Sequence, residues 1–301
     1  MPVPDPPPRA PFEGFRHLRV SPIPATDRVT VVTGPTSGIG RATAFALAKN
    51  PGTLVLACRD IEKGKAVHNE ILQRNPGARV EILPVDLARL RSVREFAATL
   101  TARHPRVHVL VNNAGIFMRT RHTTEDGFER VFQVNYLAHF LLTSLLLPSL
   151  RSAAPSRIVN VSSEAHRGAT IDFDDLQGEK GFSGWQAYGR SKLEQILFTH
   201  ELARRLEGTG VSVNALHPGV IRTNLGRGEF PMGFVIALAF MKGPEKGART
   251  SVHVATSAAV EGVSGRYFKN SHEARSSPVS YDDADARRLW DVSEALLGLA
   301  P

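Results

Sequence analysis

Short runs of apolar and β-branched residues alternate with longer helical patterns along most of the chain. Seven such runs lie at 29–34, 53–58, 79–85, 108–115, 157–163, 211–219 and 265–268. Strands that are apolar on both faces are typical of a parallel sheet covered by helices on both sides. The helical patterns include 39–49 and a longer one from about 124 to 148, which we expect to break near Asn135. This alternation predicts an α/β fold with a doubly wound parallel sheet in a single domain.

The first 27 residues differ in composition from the rest of the chain. They hold eight of its twenty prolines, and proline at this density prevents helix formation and removes the N–H donors of strands. The sequence therefore predicts an irregular, proline-rich arm at 1–27 and one folded domain at 28–301. We expect no transmembrane segment, because the arm lacks a signal-like apolar core and the apolar stretch at 230–241 is shorter than the ~20 residues that span a bilayer.

Charge and cysteine content argue against several classes of protein. The net charge is +8, but the basic residues are scattered without interleaved aromatics, which favours a solvated surface over a nucleic-acid site. An anionic small molecule also fits this charge. The single cysteine, Cys58, excludes an internal disulfide framework and indicates a reducing compartment, so we expect a cytoplasmic protein. The histidines form no convincing metal set, and we expect no metal.

A glycine-rich turn follows the first predicted strand in VTVVTGPTSGIGRATAFALA. Gly34, Gly38 and Gly40 enclose Thr36, Ser37 and Ile39, and a helical pattern begins at once. Alone, such a run is also compatible with an ordinary turn. Between a buried strand and a helix it predicts nucleotide binding, because glycines let the backbone approach a pyrophosphate at the helix N-terminus.

The end of the second predicted strand, LVLACRD, bears on which nucleotide is bound. A carboxylate at this point would bind the ribose hydroxyl of NAD, whereas a guanidinium suits the 2′-phosphate of NADP. The sequence has Cys58 there, followed by Arg59, so NADP is favoured and NAD is less favoured. Arg41 is a second candidate for the phosphate or an outward-facing helix residue. Asp60 is expected to point elsewhere.

The stretch AYGRSKLEQ places Tyr188 four positions before Lys192 in a helical pattern. Residues at this spacing share a helix face, so the two side chains can be neighbours. A nearby ammonium favours the ionised form of a phenol and would lower its pKa from near ~10. The pair therefore suits proton transfer, although the same spacing also arises by chance on helix surfaces.

Taken together, these motifs resemble those of the short-chain dehydrogenase/reductase family over about residues 28–298. The resemblance is carried by TGPTSGIG, VDL, NNAG, VNYLAHF, IVNVSS, YGRSK and HPGVIRT, which occur in the family's order. Within the family, LACRD, NVSSEAH and FDDLQGEKGF are similar to the retinol dehydrogenase and carbonyl reductase branch. A Rossmann fold follows from this resemblance.

The resemblance implies four catalytic residues. Tyr188 would be the general acid or base, and Lys192 would lower its pKa and bind the nicotinamide ribose. Ser163 would hold the substrate oxygen, with Ser162 supporting the turn. Asn135 would break its helix and hold a water in a proton relay. The implied cofactor-binding residues are Gly34, Thr36, Ser37, Gly38, Ile39, Gly40, Arg59, Asp86, Leu87, Asn113, Ala114, Gly115, Tyr188, Lys192, Pro218, Ile221 and Thr223.

An apolar segment at about 225–247 falls where family members carry a substrate lid, and a core helix is the alternative. The predicted function is hydride transfer between NADP and a lipophilic aldehyde, ketone or alcohol. The alternatives are an NAD-dependent dehydrogenase of the same fold and a non-catalytic NADP-binding sensor or scaffold. A peripheral membrane contact through the lid with Lys242 and Lys246, and a homo-oligomer, are also compatible with the sequence.

Overall fold

The structure is a computed structural model that describes residues 27–219 and 243–299. Most of the predicted lid lies outside the described residues. So do Ile221, Thr223 and all but one residue of the predicted arm. The boundaries of the arm and the domain therefore stay predictions.

The described residues form one sheet of eight strands in the order β3-β2-β1-β4-β5-β6-β7-β8. The strands are β1 Val29–Thr33, β2 Thr53–Cys58, β3 Arg79–Pro84, β4 Val109–Asn112, β5 Ser156–Val161, β6 Val211–His217, β7 Tyr267–Lys269 and β8 His272–Ala274. β1 to β7 are parallel, and β8 pairs antiparallel with β7. The predicted doubly wound α/β fold is confirmed. β8 was not predicted, because its three residues are polar or small and show no apolar pattern.

Helices cover both faces of the sheet. They are α1 Gly38–Leu47, α2 Ile61–Arg74, α3 Leu90–Arg103, α4 Arg130–Ser152, α5 Gly184–Arg205, α6 Pro244–Thr256 and α7 Asp283–Leu297. Apolar residues of α3, α4, α5 and α7 form one core with the sheet, and those of α1, α2 and α6 form another. Because helices bury both faces of the sheet, the central strands are apolar on both faces.

α4 begins later and ends later than the sequence predicts. It begins at Arg130 because the Glu129 carboxylate accepts hydrogen bonds from the backbone N–H groups of Val131 and Phe132, at 2.8 and 2.7 Å. The predicted break near Asn135 is confirmed as a π-helical turn at Gln133–Leu137. Among the described residues, α4 alone has the length and apolarity of a membrane span, but most of it is buried inside the domain.

Candidate active site

All predicted cofactor-binding residues in the described parts of the chain line one cavity, here called the crevice. It has a volume of about 500 Å³ and lies at the carboxyl edge of the sheet. β1 and β4 are neighbours there although they are not consecutive in the chain, and doubly wound proteins bind ligands at such a reversal of strand order. The predicted residues that line it are Gly34, Thr36, Ser37, Gly38, Ile39, Gly40, Arg59, Asp86, Leu87, Asn113, Ala114, Gly115, Tyr188, Lys192 and Pro218.

A larger cavity of about 890 Å³ lies between α1, α2 and α6. Arg41 lines it, pairs with Glu70 and lies 4.6 Å from the ring centroid of Phe45. Arg41 is therefore the outward-facing helix residue that the sequence left as an alternative. The smaller crevice holds the glycine turn and the candidate catalytic groups, so chemistry rather than volume identifies the site.

The glycine turn is packed too closely for side chains. Gly34 and Gly38 have φ values of +66° and +52°, which favour glycine. A Cβ on Gly40 would lie 2.2 Å from the Gly34 carbonyl oxygen and 2.3 Å from Asn113 Nδ2. Asn113 Nδ2 donates to the Thr33 carbonyl at 2.8 Å, so its amide holds the turn as well as lining the crevice. This bare backbone before the N-terminus of α1 fits a pyrophosphate.

Two basic residues line the part of the crevice beside the glycine turn and the end of β2, here called the nucleotide end. Arg59 is exposed at the end of β2, where the sequence predicted it, and Lys63 is a lining residue that the sequence interpretation missed. Asp60 caps α2 by accepting from the Lys63 N–H at 3.0 Å, and its carboxylate pairs with Lys63 Nζ at 2.7 Å. Burial raises the pKa of the Cys58 thiol to about 11, so this cysteine stays protonated.

At the other end, Tyr188 lines the crevice. Burial raises the pKa of Tyr188 to about 12, and the Ser163 side chain acts in the opposite direction. The lowering of this pKa by Lys192 stays a prediction, and burial lowers the pKa of Lys192 itself to about 7. Tyr188 therefore keeps its proton at neutral pH, which is the state that a general acid requires.

Ser163 lies in the turn after β5, and side-chain bonds of the next residue connect this turn to β7. The adjacent Glu164 carboxylate accepts from Tyr267 Oη at 3.0 Å, from Lys269 Nζ at 2.9 Å and from Arg167 Nε at 3.1 Å. Burial opposes ionisation of Glu164, but these three donors outweigh it and lower its pKa to about 2. The sequence interpretation missed this connection, because Tyr267 and Lys269 lie about a hundred residues away. Ser162 donates to the Lys192 carbonyl at 2.7 Å, consistent with support of the turn.

Asn135 is fully buried behind the crevice. Its side chain accepts from the Ile116 N–H at 2.7 Å and donates to the Ile116 carbonyl and to Ser191 Oγ, both at 3.0 Å. Its backbone carbonyl accepts from Gln195 Nε2 at 2.7 Å and is 3.1 Å from His139 Nδ1. The relay water that the resemblance implies for Asn135 stays a prediction. Lys192 Nζ donates to the Val161 carbonyl at 3.0 Å.

These features fit a nicotinamide dinucleotide along the crevice. A Cβ on Gly115 would lie 3.4 Å from Lys192 Nζ and 3.5 Å from Asn135 Oδ1, so this backbone lies directly beside both side chains. A glycine-lined crevice that leads to a protonated tyrosine defines an NAD(P)-dependent oxidoreductase, which transfers hydride.

The comparisons with known proteins agree with this class. A family model described as short chain dehydrogenase matches residues 28–232. The chain belongs to this family, and within it to the retinol dehydrogenase branch. It is 45% identical to human Retinol dehydrogenase 14 over 291 residues, covering 90% of this chain and 87% of that protein. It is 47% identical to human Retinol dehydrogenase 11 over 274 residues, covering 90% and 86%.

Solved structures show the same fold. A protein of Mycobacterium Paratuberculosis is 33% identical, with a TM-score of 0.74 over 92% of this chain and 96% of that one. A metagenomic short-chain oxidoreductase in complex with NADP is 28% identical, with a TM-score of 0.58 over 77% of this chain and 91% of that one.

Proposed function

We propose that this protein is an NADP-dependent reductase of lipophilic aldehydes or ketones. The observation that carries the proposal is the position of Tyr188, which lines the crevice together with the glycine turn and has Lys192 Nζ 5.6 Å from its ring centroid. A protonated phenol is the donor needed when a carbonyl is reduced.

The proposed chemistry uses few groups of the chain. A nicotinamide dinucleotide supplies the hydride when it is bound in the crevice. Ser163 and Tyr188 hold the substrate oxygen, where negative charge builds up, and Tyr188 donates its proton to that oxygen. Lys192, buried beside them, supplies a hydrogen-bond donor toward the crevice. In the reverse direction the same phenol accepts the proton of an alcohol.

The preference for NADP is supported by the charge at the nucleotide end. Arg59 and Lys63 line the crevice there, and Asp60 is engaged with Lys63 and the start of α2. A guanidinium and an ammonium attract a 2′-phosphate, whereas a carboxylate free to face it would repel one. The NADP complex of the metagenomic relative is in line with this preference.

An aromatic wall beside Tyr188 supports a lipophilic substrate. The ring of Phe117 lies 5.0 Å from that of Trp185 and 6.0 Å from that of Tyr188, and Met118 lines the crevice next to Phe117. Trp185 remains 55% exposed one turn before Tyr188. Apolar carbonyl compounds would bury this surface, and the retinol named in the relatives is an apolar alcohol. The predicted lid lies outside the described residues.

The proposal is tested by following NADPH and NADH consumption with straight-chain aldehydes of increasing length. We expect turnover with NADPH, a rate that rises with chain length, and a loss of about 10²-fold or more in Tyr188→Phe, which lacks the proton donor. Tyr136→Phe is the matched control: this buried tyrosine bonds to Ser293 at 2.7 Å, away from the crevice.

Each alternative has its own outcome in this experiment. Faster turnover with NADH than with NADPH would indicate an NAD-dependent dehydrogenase. Tight NADPH binding without turnover of any carbonyl would indicate a sensor or scaffold. Unchanged turnover in Tyr188→Phe would overturn the catalytic assignment. The cytoplasmic location, the membrane contact and the homo-oligomer stay predictions.

A further inference from the structure

Gln195 connects two parts of the site that the sequence did not link. It lies three residues after Lys192 on the same face of α5 and is 2% exposed. Its Oε1 accepts from Lys192 Nζ at 3.1 Å, and its Nε2 donates to the Asn135 carbonyl at 2.7 Å. An ammonium only donates and a carbonyl only accepts, so the orientation of this amide is determined by its partners.

The Asn135 carbonyl has a second protein donor. His139 Nδ1 lies 3.1 Å from it, and because a carbonyl cannot donate, Nδ1 must carry the ring proton. With Gln195 Nε2 and His139 Nδ1 as donors, both lone pairs of the carbonyl oxygen are used.

The same chain of contacts reaches the cofactor turn. Thr33 Oγ1 accepts from the N–H groups of Asn113 and Ala114, at 2.9 and 3.0 Å. Its hydroxyl lies 3.0 Å from His139 Nε2, which is unprotonated when Nδ1 carries the proton, so the Thr33 hydroxyl donates to it. Buried hydrogen bonds thus run from the end of β1 through Asn135 to Lys192.

We propose that Gln195 is a positioning residue that holds the Lys192 amine at the crevice. The proposal rests on the proposed function, in which Lys192 acts beside the cofactor. The Oε1 atom of Gln195 accepts from the amine, and the bond from Nε2 to the Asn135 carbonyl keeps the amide in that orientation.

The surroundings of Lys192 allow the effect of Gln195 to be measured. The titratable groups that face the amine are Tyr188, on the same helix, and His139, on α4. β5 contributes the Val161 carbonyl, and the turn after β4 contributes Gly115. On α5 itself, the Glu194 carboxylate lies 3.9 Å from Arg190 Nε. On elements packed against α5, Glu164 pairs with Lys269, His166 accepts from the Ser277 N–H, and His217 accepts from the Glu164 N–H.

The test is a direct titration of Lys192 by NMR, in full-length protein labelled with ¹³C at the lysine Cε. The Lys192 signal is assigned by its absence from Lys192→Met. In the native chain we expect its pKa at about 7. Gln195→Met keeps the length of the side chain but removes the acceptor, and should lower the pKa by about one pH unit. Gln195→Glu puts a carboxylate beside the amine and should raise it by a similar amount.

Gln133→Met is the matched control. Gln133 is a fully buried glutamine in the π-helical turn that contains Asn135. Its amide donates to Asp126 at 2.8 Å rather than contacting Lys192. It should leave the Lys192 titration unchanged. In the pH profile of kcat/KM, the apparent pKa that reflects Lys192 should be lower in Gln195→Met and higher in Gln195→Glu than in the native chain.

A Lys192 pKa that is the same in the native chain and in both Gln195 variants would overturn the proposal. If Gln195→Met does not fold, the Gln195→Glu titration decides alone. Because NMR needs no turnover, absence of carbonyl reduction would refute the proposed function while leaving the Gln195 result readable.

Discussion

Lys192 Nζ lies 5.6 Å from the centroid of the Tyr188 ring, and burial favours the uncharged form of both side chains. The pKa of Tyr188 is raised to about 12 and that of Lys192 is lowered to about 7. Burial thus opposes charge on both side chains of the pair.

The depressed pKa of Lys192 predicts a dependence of stability on pH. Between about pH 7 and 10 the unfolded chain holds a lysine proton that the native state has lost, so stability rises with pH. Relative to Lys192→Met, the free energy of unfolding of the native chain should rise by up to ~1.4 kcal/mol per pH unit over this range. Urea unfolding at several pH values measures the difference. Parallel curves for the two proteins would contradict the assigned pKa.

Arg59 should discriminate between the two dinucleotides. Arg59→Ala removes a cation from the nucleotide end of the crevice and should weaken NADPH binding by about tenfold or more, with little effect on NADH, because a charge-assisted bond to a 2′-phosphate is lost. Isothermal titration calorimetry with both nucleotides provides the measurement. Arg41→Ala removes a guanidinium that is paired with Glu70 and is the matched control. Equal losses for NADPH and NADH would exclude the 2′-phosphate role.

Gly40→Ala should abolish tight binding of either dinucleotide. The added methyl would lie 2.2 Å from the Gly34 carbonyl oxygen, which is backbone and has little room to move. The glycine turn must therefore open, and we expect both a lower melting temperature and at least a tenfold loss of affinity. Gly181→Ala is the control, because a Cβ there meets nothing within 4 Å. Native affinity in Gly40→Ala would show that the turn does not touch the nucleotide.

If the protein has the proposed function, Trp185 should determine the preference for long aldehydes. Trp185→Ala removes the outer ring of the aromatic wall, so kcat/KM for long aldehydes should fall about tenfold while that for the shortest ones changes little. Trp185→Phe keeps an aromatic ring against Phe117 and should retain most of the preference. A uniform loss for all chain lengths in Trp185→Ala would assign the residue to folding instead.

Local patterns were enough to predict much of this molecule. The seven parallel strands, the glycine turn and the interruption at Asn135 depend on residues that are close in sequence. The start of α4 was predicted wrongly, because its cap, Glu129, is held through a bond from its N–H to Gln177 Oε1, 48 residues later. The bonds of Glu164 to β7 and the bond of Gln195 to the Asn135 carbonyl also join segments that are distant in sequence. A pattern within one segment cannot predict such contacts.

Glu194 predicts a second pH effect, opposite in sign to that of Lys192. Neither of its buried carboxylate oxygens accepts a hydrogen bond within the described part of the chain, and Arg190 Nε lies 3.9 Å from Oε1. Burial raises the pKa of Glu194 to about 8, against a counteracting effect of Arg190. Between pH 4.5 and 8 the native state therefore holds a proton that the unfolded chain has lost, and stability falls as pH rises.

Glu194→Met removes this penalty and keeps the volume of the side chain. Its advantage in free energy of unfolding over the native chain should grow with pH by up to ~1.4 kcal/mol per pH unit over that range. Glu207→Met, at an exposed position after α5, controls for the loss of one negative charge. Urea unfolding at pH 5, 6.5 and 8 is the measurement, since these points lie inside the window that the shifted pKa defines. An advantage that is constant or that shrinks as pH rises would mean that Glu194 is already ionised in the native state, held by Arg190.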